Sequence, residues 1–300
     1  MAKTLSVGLV QQPAWPDKAK SLAESEAGVR ELAAQGAELV LLQELHSTHY
    51  FCQYEDTALF DLAEPLDGPS GQFLARLAQE LDIVLVGSLF ERRAAGLYHN
   101  TAVVYDRDRG RVGHYRKMHI PDDPGFYEKF YFTPGDADAA RHEGFTPIDT
   151  SVGRLGVLVC WDQWYPEAAR LMALAGAELL LYPTAIGWSP SDDTAEKYRQ
   201  KDAWTLIQRS HAVANGVPVV VANRTGHERD QSEVGEGIDF WGGSFISGPQ
   251  GELLAHAGEG PERLLVQLDL ARSEEVRRIW PYLRDRRVDA YADLTRRYRD

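Results

Sequence analysis

Three reactive side chains follow apolar runs of the sequence: Glu44, Lys117 and Cys160. Glu44 and Cys160 each close a run of the kind that a buried strand shows, and Lys117 follows a predicted hairpin. Taken singly, each has a structural explanation: a strand-end carboxylate in solvent, a surface cation and a small buried thiol. Taken together, they predict one chemical site.

The chemistry of that predicted site is amide hydrolysis. A free thiol has a pKa of about 8.5, so it is mostly protonated and unreactive at neutral pH. Glu44 could take the proton of Cys160 as a general base, while Lys117 stabilises a developing oxyanion. The backbone N–H of Trp161 is a candidate for the second oxyanion donor. These roles predict a reaction through an acyl-thiol intermediate.

Periodicity along the chain predicts alternating helices and strands. We expect helices at 17–34, 70–81 and 195–214 and a further helix opened by Pro166. We expect strands at 5–10, 83–90, 98–105, 112–115, 154–160, 218–223, 240–246, 253–256 and 264–268, and a turn followed by a buried strand within each of 36–44 and 176–184. The segment GAELLLYPT at 176–184 echoes GAELVLLQE at 36–44, which predicts two halves that are built alike. No linker interrupts the pattern, so we expect one domain over residues 1–300 with two sheets between layers of helices.

The bulk composition restricts the partners and the compartment. A formal charge of −13, spread along the chain, argues against nucleic acid or an anionic membrane and favours a cationic small molecule. No apolar stretch approaches the roughly 20 residues of a membrane span. Two cysteines, Cys52 and Cys160, are too few for a disulfide framework and indicate a reducing, cytoplasmic location. His46 and His49 lack the accompanying Cys/His cluster of a metal site, so no metal is expected.

Four segments of the chain resemble one known family, the carbon–nitrogen hydrolase (nitrilase) superfamily. They are LLQELHSTHYFCQ (41–53), YRKMHIPDDPGFYEKFYFTPGD (115–136), VLVCWDQWYPEAARLMALAGAELLLYPTAIGW (157–188) and LRDRRVDAYADL (283–294). The flanking residues are most similar to the branch that hydrolyses N-carbamoylputrescine. The resemblance implies an α/β fold, a four-layer αββα sandwich, and a C-terminal arm at about 270–300 that joins copies of the chain into a homo-oligomer.

The resemblance also implies a Glu–Lys–Cys triad, which falls on Glu44, Lys117 and Cys160. A second glutamate of the family matches Glu128, whose implied roles are to orient Lys117 and to position water. Without the resemblance, Glu128 would be interpreted as the surface partner of Lys129. The implied reaction passes through a carbamoyl thioester, releases ammonia first and an amine with carbon dioxide second, and requires no metal or organic cofactor.

The implied substrate, N-carbamoylputrescine, keeps one ammonium group, which carboxylates or aromatic faces could bind. We expect Asp122 or Asp123 to meet this amine and Tyr50, Tyr54 and Trp161 to form walls. The alternative for the two aspartates is a simple turn, because Asp, Pro and Gly are typical turn residues.

Residues 184–188, beginning with Thr184 and Ala185, resemble the loop that lines the pocket in this branch. The following residues, 188–192, depart from related sequences, which often carry another acidic residue there. Three other functions remain open: hydrolysis of an N-carbamoyl amino acid such as N-carbamoyl-β-alanine, hydrolysis of a nitrile or simple aliphatic amide, and a catalytically silent scaffold. The anionic substrate would need an Arg or Lys clamp where acidic residues are expected.

Overall fold

The computed structural model of the protein describes residues 4–138 and 143–299. In these ranges the α-helices are α1 (Lys18–Ala34), α2 (Pro69–Glu80), α3 (Glu128–Tyr131), α4 (Pro166–Leu174), α5 (Thr194–Asn215) and α6 (Ala271–Ile279). Among the described residues, no helix combines the length and hydrophobicity that a bilayer-spanning helix requires. Asp17 caps α1 and Asp193 caps α5 through side-chain oxygens that accept N–H groups of the first helical turn.

The first sheet has six strands in the order β15-β1-β2-β3-β4-β5. The strands are β1 (Thr4–Gln11), β2 (Leu39–Leu41), β3 (Val84–Ala94), β4 (Leu97–Asp106), β5 (Gly110–Arg116) and β15 (Glu262–Asp269). Strands β1, β2 and β3 run parallel, because helices α1 and α2 connect them. The other pairs are antiparallel, and the predicted hairpin is β4–β5.

The second sheet also has six strands, in the order β14-β13-β10-β8-β7-β6. They are β6 (Ile148–Thr150), β7 (Gly153–Val157), β8 (Leu179–Thr184), β10 (Val219–Asn223), β13 (Phe245–Ser247) and β14 (Leu253–His256). Strands β7, β8 and β10 run parallel through α4 and α5, and the outer pairs are antiparallel. This is the pairing pattern of the first sheet, so the predicted likeness of the two halves is confirmed.

The two sheets pack face to face with helices outside them. Val7, Leu39 and Leu41 of the first sheet share one buried cluster with Leu181 and Val220 of the second. Side chains alternate across a strand, so neighbouring residues of the first sheet point outward, where they pack against α1 and α2. Helices α4 and α5 cover the second sheet through Met172, Trp204 and Ala212. The expected αββα sandwich is therefore confirmed.

One predicted strand, 240–246, is wrong. The segment forms two strands, β12 (Ile238–Trp241) and β13, which belong to different sheets. Gly242 and Gly243 separate them with φ values of +57° and +63°, a left-handed conformation that only glycine adopts freely. Strand β12 instead joins β9 (Gly187–Trp188) and β11 (Thr225–Glu228) in a small third sheet.

The predicted strand at 154–160 is too long at its C-terminal end. Strand β7 ends at Val157, and Cys160 begins a 3-10 helix, Cys160–Trp164. The C-terminal segment after α6 forms two short 3-10 turns, and its arginines pair with neighbouring aspartates, as in Arg287–Asp289 and Arg299–Asp293. It is therefore a salt-bridged segment.

Candidate active site

Cys160 lies in a sharp turn between β7 and α4. Its φ is +42°, a left-handed conformation that is unfavourable for a residue with a side chain. The carboxylate of Asp162 braces this turn, because its Oδ2 accepts the N–H of Val159 at 2.9 Å and the hydroxyl of Tyr115 at 2.9 Å. Its Oδ1 accepts the N–H of His119 at 3.1 Å and Nδ1 of the same residue at 2.7 Å. The backbone strain is thus held by four donors on one buried carboxylate.

Glu44 lies just beyond the end of β2 and is fully buried. Its Oε1 accepts hydrogen bonds from Lys117 Nζ at 2.8 Å and from Asn100 Nδ2 at 2.7 Å. Its Oε2 has no hydrogen-bond partner among the described residues. One carboxylate oxygen is therefore anchored, and the other is left with its lone pairs available for a proton.

Lys117 follows β5 directly and connects the two buried glutamates. Its Nζ donates to Glu44 Oε1 and, at 2.6 Å, to Glu128 Oε2. Glu128, the first residue of α3, also accepts the hydroxyl of Tyr50 at 2.8 Å on its other oxygen. The surface pairing of Glu128 with Lys129 is thus not what the structure has, because Glu128 is buried.

The charges in this buried cluster act on one another. Burial would lower the pKa of Lys117, but the carboxylates of Glu128 and Glu44 outweigh it and raise that pKa well above the ordinary value. Burial raises the pKa of Glu128 to about 7, against the opposing charge of Lys117. Burial also raises the pKa of the Cys160 thiol, and the charge of Glu44 raises it further, while Lys117 lowers it. The resting sulfur is therefore a protonated thiol close to Glu44 and Lys117.

A cavity of about 620 Å³ opens onto Cys160 and Glu128. Its walls include aromatic side chains from distant parts of the chain: Phe126, Trp161, Trp164 and Trp241. The Cys160 Sγ lies 3.7 Å from the carbonyl oxygen of Ala185, which also lines the cavity. An apolar cavity with a few polar groups at its base is the usual form of a small-molecule site.

The outer part of the cavity carries charge. Asp123, Asp192, Glu196 and Arg199 line it, which gives three carboxylates and one guanidinium. Glu196 and Arg199 pair with one another on the first turns of α5, and Gln200 donates to Asp192 at 3.2 Å. This part of the cavity therefore carries a net negative charge, which suits a cationic group.

The structure brings some of the predicted wall residues into the cavity. Trp161, Ala185 and Asp123 line it. Asp122 does not, since it is exposed and its Oδ2 lies 3.8 Å from Lys129 Nζ.

Other predicted wall residues lie behind or beside the cavity. Tyr50 is fully buried outside the cavity lining, and its hydroxyl donates a hydrogen bond to Glu128. Thr184 is also buried, and its hydroxyl accepts from Gln163 Nε2 at 2.6 Å. Tyr54 lines a neighbouring cleft of about 720 Å³ together with Asp230.

Sequence reasoning missed several residues that contact the glutamates and the cysteine turn. Asn100 is a polar residue inside the apolar run of β4, and Asp162 follows Cys160 at an interval of two, so both carried a weak signal. Arg224 follows the apolar β10 directly, as Glu44 follows β2. Its guanidinium is fully buried and donates to the carbonyl oxygen of Glu44 at 2.9 Å. In the described part of the chain, no group of three His, Cys, Asp or Glu side chains could hold a metal ion.

Comparison with known sequences gives one family over most of the chain. Residues 6–278 match the carbon–nitrogen hydrolase family. The chain is 43% identical to the N-carbamoylputrescine amidase of Solanum tuberosum over 97% of this chain and 95% of that protein. It is 39% identical to the citrullinase of Francisella tularensis over 98% of this chain and 99% of that protein.

Solved structures agree with this similarity. A carbon–nitrogen hydrolase from Helicobacter pylori superimposes with a TM-score of 0.94 at 51% identity, covering 99% of this chain and 100% of that one. A variant of the amidase from Nesterenkonia sp. AN1 has a TM-score of 0.74 at 26% identity, covering 96% and 95%. In that structure the acetamide moiety of fluoroacetamide is covalently added at the active-site cysteine.

Proposed function

Because the chain belongs to the carbon–nitrogen hydrolase family, we propose that it hydrolyses N-carbamoylputrescine to putrescine, ammonia and carbon dioxide. The observation that carries this proposal is a cavity lined by Cys160 and Glu128, with a net acidic outer part. The buried charges of Glu44 and Lys117 lie close enough to the thiol to act on its pKa, and Lys117 joins Glu44 to Glu128. The similarity to N-carbamoylputrescine amidases supports the choice of substrate.

The first half of the reaction forms a carbamoyl thioester. The unpartnered Oε2 of Glu44 takes the proton of Cys160, and the sulfur attacks the ureido carbonyl carbon. The negative charge that develops on the carbonyl oxygen faces the Lys117 ammonium and the backbone N–H of Trp161. The bond to the terminal nitrogen then breaks, and Glu44 returns the proton to the leaving ammonia.

The second half releases the diamine. Glu44 takes a proton from water, whose oxygen attacks the carbonyl carbon of the thioester, and the carbon–sulfur bond breaks with return of the proton to Cys160. The product is an N-alkyl carbamic acid, which loses carbon dioxide to give the amine. Glu128 orients Lys117 through its 2.6 Å contact and borders the cavity where the water enters. These steps use side chains, one backbone N–H group and water.

The acidic outer part of the cavity binds the distal ammonium. Asp123, Asp192 and Glu196 are its carboxylates, and the aromatic walls between them and Cys160 pack against the methylene chain. Asp122, which lies outside the cavity, takes no part.

A second candidate substrate is citrulline, which carries a ureido group, an α-amino group and a carboxylate. The similarity to a citrullinase and the presence of Arg199 in the cavity favour it. A carboxylate bound by Arg199 would have to displace Glu196, which already pairs with that guanidinium. The net negative charge of this region therefore favours N-carbamoylputrescine over citrulline as the substrate.

Ammonia release from N-carbamoylputrescine, citrulline and N-carbamoyl-β-alanine tests the assignment. We expect the highest kcat/KM on N-carbamoylputrescine and a several-fold rise in its KM in Glu196→Gln. Arg199→Gln is the opposite charge change, because it removes the guanidinium beside the carboxylates, so the KM should not rise in that variant. A higher kcat/KM on either substrate with a carboxylate would overturn the substrate assignment. Cys160→Ala should abolish turnover on all three.

We further propose that a second copy of the chain covers the segment at 270–300. Exposed apolar side chains concentrate there, including Ile279, Trp280, Val288 and Leu294. Tyr282 borders a groove of about 570 Å³ whose other wall is α5. Light scattering should give at least a dimer, and a monomer at micromolar concentration would refute this.

The two buried free cysteines suit a reducing compartment, so the proposed location is the cytoplasm.

A further inference from the structure

Arg224 is a fully buried cation that the proposed reaction does not use. It follows the last residue of β10, and its Nη1 donates to Glu228 Oε1 at 2.6 Å. Its guanidinium carbon lies 5.3 Å from the ring centre of Phe240 and 5.9 Å from that of Tyr50. Burying a charge is costly unless it is paired and hydrogen-bonded, so these contacts require an explanation.

The Nη2 group of Arg224 holds the backbone that carries Glu44, while Nε has no hydrogen-bond partner among the described residues. Nη2 donates to the carbonyl oxygens of Glu44 at 2.9 Å and Leu45 at 3.0 Å. Leu45 has a φ of +48°, which is strained for a leucine, and its N–H donates to Ser88 Oγ at 3.2 Å. Two successive carbonyls in a strained turn are thus fixed by one planar guanidinium.

The pair of Arg224 and Glu228 also connects to the far side of the triad. The second oxygen of Glu228 accepts the N–H of Tyr50, and the hydroxyl of Tyr50 donates to Glu128. Glu128 accepts a hydrogen bond from Lys117, which also donates to Glu44. The backbone carbonyl oxygen of Glu44 in turn accepts a hydrogen bond from Arg224. The contacts therefore form a closed ring, shared by these residues: Arg224, Glu228, Tyr50, Glu128, Lys117 and Glu44.

We propose that Arg224, held by Glu228, is a positioning residue that sets the direction of the Glu44 carboxylate toward the Cys160 thiol. The inference rests on the proposed function for its chemistry. The side chain of Glu44 is anchored at Oε1 by Lys117 and Asn100, but its direction also depends on the turn at Glu44 and Leu45. Arg224 fixes that turn from behind, where no substrate atom reaches.

The test is Arg224→Lys, which keeps the charge and removes the planar fork that donates to two carbonyls. Arg109→Lys is the matched control, since Arg109 also pairs with a buried carboxylate, Asp106, but on the β4–β5 turn. We expect Arg224→Lys to lower kcat on N-carbamoylputrescine by about 10²-fold, with KM changed much less, because a misplaced base loses the chemical step. Arg109→Lys should leave both constants unchanged.

The pH profile separates positioning from a purely structural role. In the wild type Glu44 takes the thiol proton inside the site, so we expect kcat/KM to level off near neutral pH. In Arg224→Lys the thiol must lose its proton to solvent, so the residual rate should keep rising above pH 9. A profile of unchanged shape, reduced only in proportion to the folded fraction, would overturn the proposal.

Two further measurements distinguish a positioning role of Arg224 from a loss of folding. Ser88→Ala removes the acceptor of the Leu45 N–H and a donor to Asn100, which also anchors Glu44. It should shift the profile in the same direction by a smaller amount. Alkylation of Cys160 by iodoacetamide, located by peptide mass, reports the same pH dependence without any substrate. An identical alkylation profile in all variants would refute the role of Arg224, whereas a wild type inactive on every ureido compound would refute the proposed function instead.

Discussion

Replacing Asp162 by asparagine should loosen the turn that holds the nucleophile. Asp162 is fully buried, and its two oxygens accept four hydrogen bonds, from the backbone N–H and Nδ1 of His119, the Tyr115 hydroxyl and the N–H of Val159. An asparagine has one acceptor oxygen, so two of the four donors lose their acceptor.

The expected cost depends on which donors are left. If the amide nitrogen takes the place of Oδ2, the Tyr115 hydroxyl can rotate and accept from it, but the N–H of Val159 cannot. A buried donor without an acceptor costs about 1–3 kcal/mol, and hydrogen bonds to a charged acceptor contribute about 1.5–3 kcal/mol each. Relief of the buried charge offsets part of this loss. We therefore expect Asp162→Asn to lower the free energy of unfolding by about 2–4 kcal/mol.

The assay pairs urea denaturation with alkylation of Cys160. Asp106→Asn is the matched control, because Asp106 is also buried and accepts two backbone N–H groups, a Ser151 hydroxyl and the Arg109 guanidinium, outside the cavity lining. Both variants should lose similar stability, but only Asp162→Asn should change the alkylation rate per folded molecule. Equal alkylation rates in the two variants, or an unchanged unfolding free energy in Asp162→Asn, would refute the reasoning.

Three further predictions concern burial and backbone strain. Burial raises the pKa of Glu128 in the folded protein to about 7, against an ordinary 4.5. The folded state therefore favours the protonated carboxyl, and its contribution to the free energy of unfolding is complete below pH 4.5 and is lost as pH rises through about 7. Urea denaturation should show a fall of about 3 kcal/mol over that window, which Glu128→Gln removes; a fall that persists in the variant contradicts this. The Tyr50 hydroxyl lowers the same pKa, so Tyr50→Phe should move the midpoint of the fall to higher pH, and an unchanged midpoint would exclude that coupling. Gly242→Ala should cost more stability in thermal unfolding than Gly96→Ala, because both have positive φ but only at Gly242 would a Cβ lie 2.5 Å from the Gln11 side chain; equal losses would argue against the clash.

The catalytic candidates could be predicted because each stands at the end of an apolar run. Glu44 and Lys117 follow strands in one sheet, and Cys160 follows a strand in the other. Periodicity identifies such ends from local sequence alone, and the GAEL echo indicated that both sheets are built alike. The αββα arrangement followed from these two signals and from the resemblance to a known family.

The contacts that hold these residues could not be predicted in the same way. Arg224 and Glu228 are charged residues at an interval of four, typical of a solvated surface, yet they are buried against Tyr50, more than 170 positions away. The outer part of the cavity comes from Glu196 and Arg199, whose interval on α5 is that of an ordinary surface ion pair. Only tertiary packing distinguishes such buried pairs from surface pairs, and the local sequence pattern does not indicate tertiary packing.

The break between β12 and β13 at Gly242 and Gly243 could not be predicted from the hydrophobic pattern either. The run around these glycines is apolar, and such a run predicts a continuous strand. The two glycines redirect the chain from the small third sheet into the second sheet, and Trp241 thereby reaches the cavity wall. A glycine pair inside an apolar run thus indicates a change of sheet as readily as a weak strand.

The near-symmetry of the two halves explains why one site forms from remote segments. Glu44 and Thr184 hold equivalent positions in the two GAEL segments, and the N–H of Glu44 donates to the carbonyl oxygen of Thr184 at 3.3 Å. The C-terminal ends of the equivalent strands of the two packed sheets thus come together. The first half places a carboxylate there, whereas the second half uses the Thr184 hydroxyl to hold Gln163 in the turn that begins at Cys160. A single site with a base from one half and a nucleophile from the other is the consequence of this asymmetry.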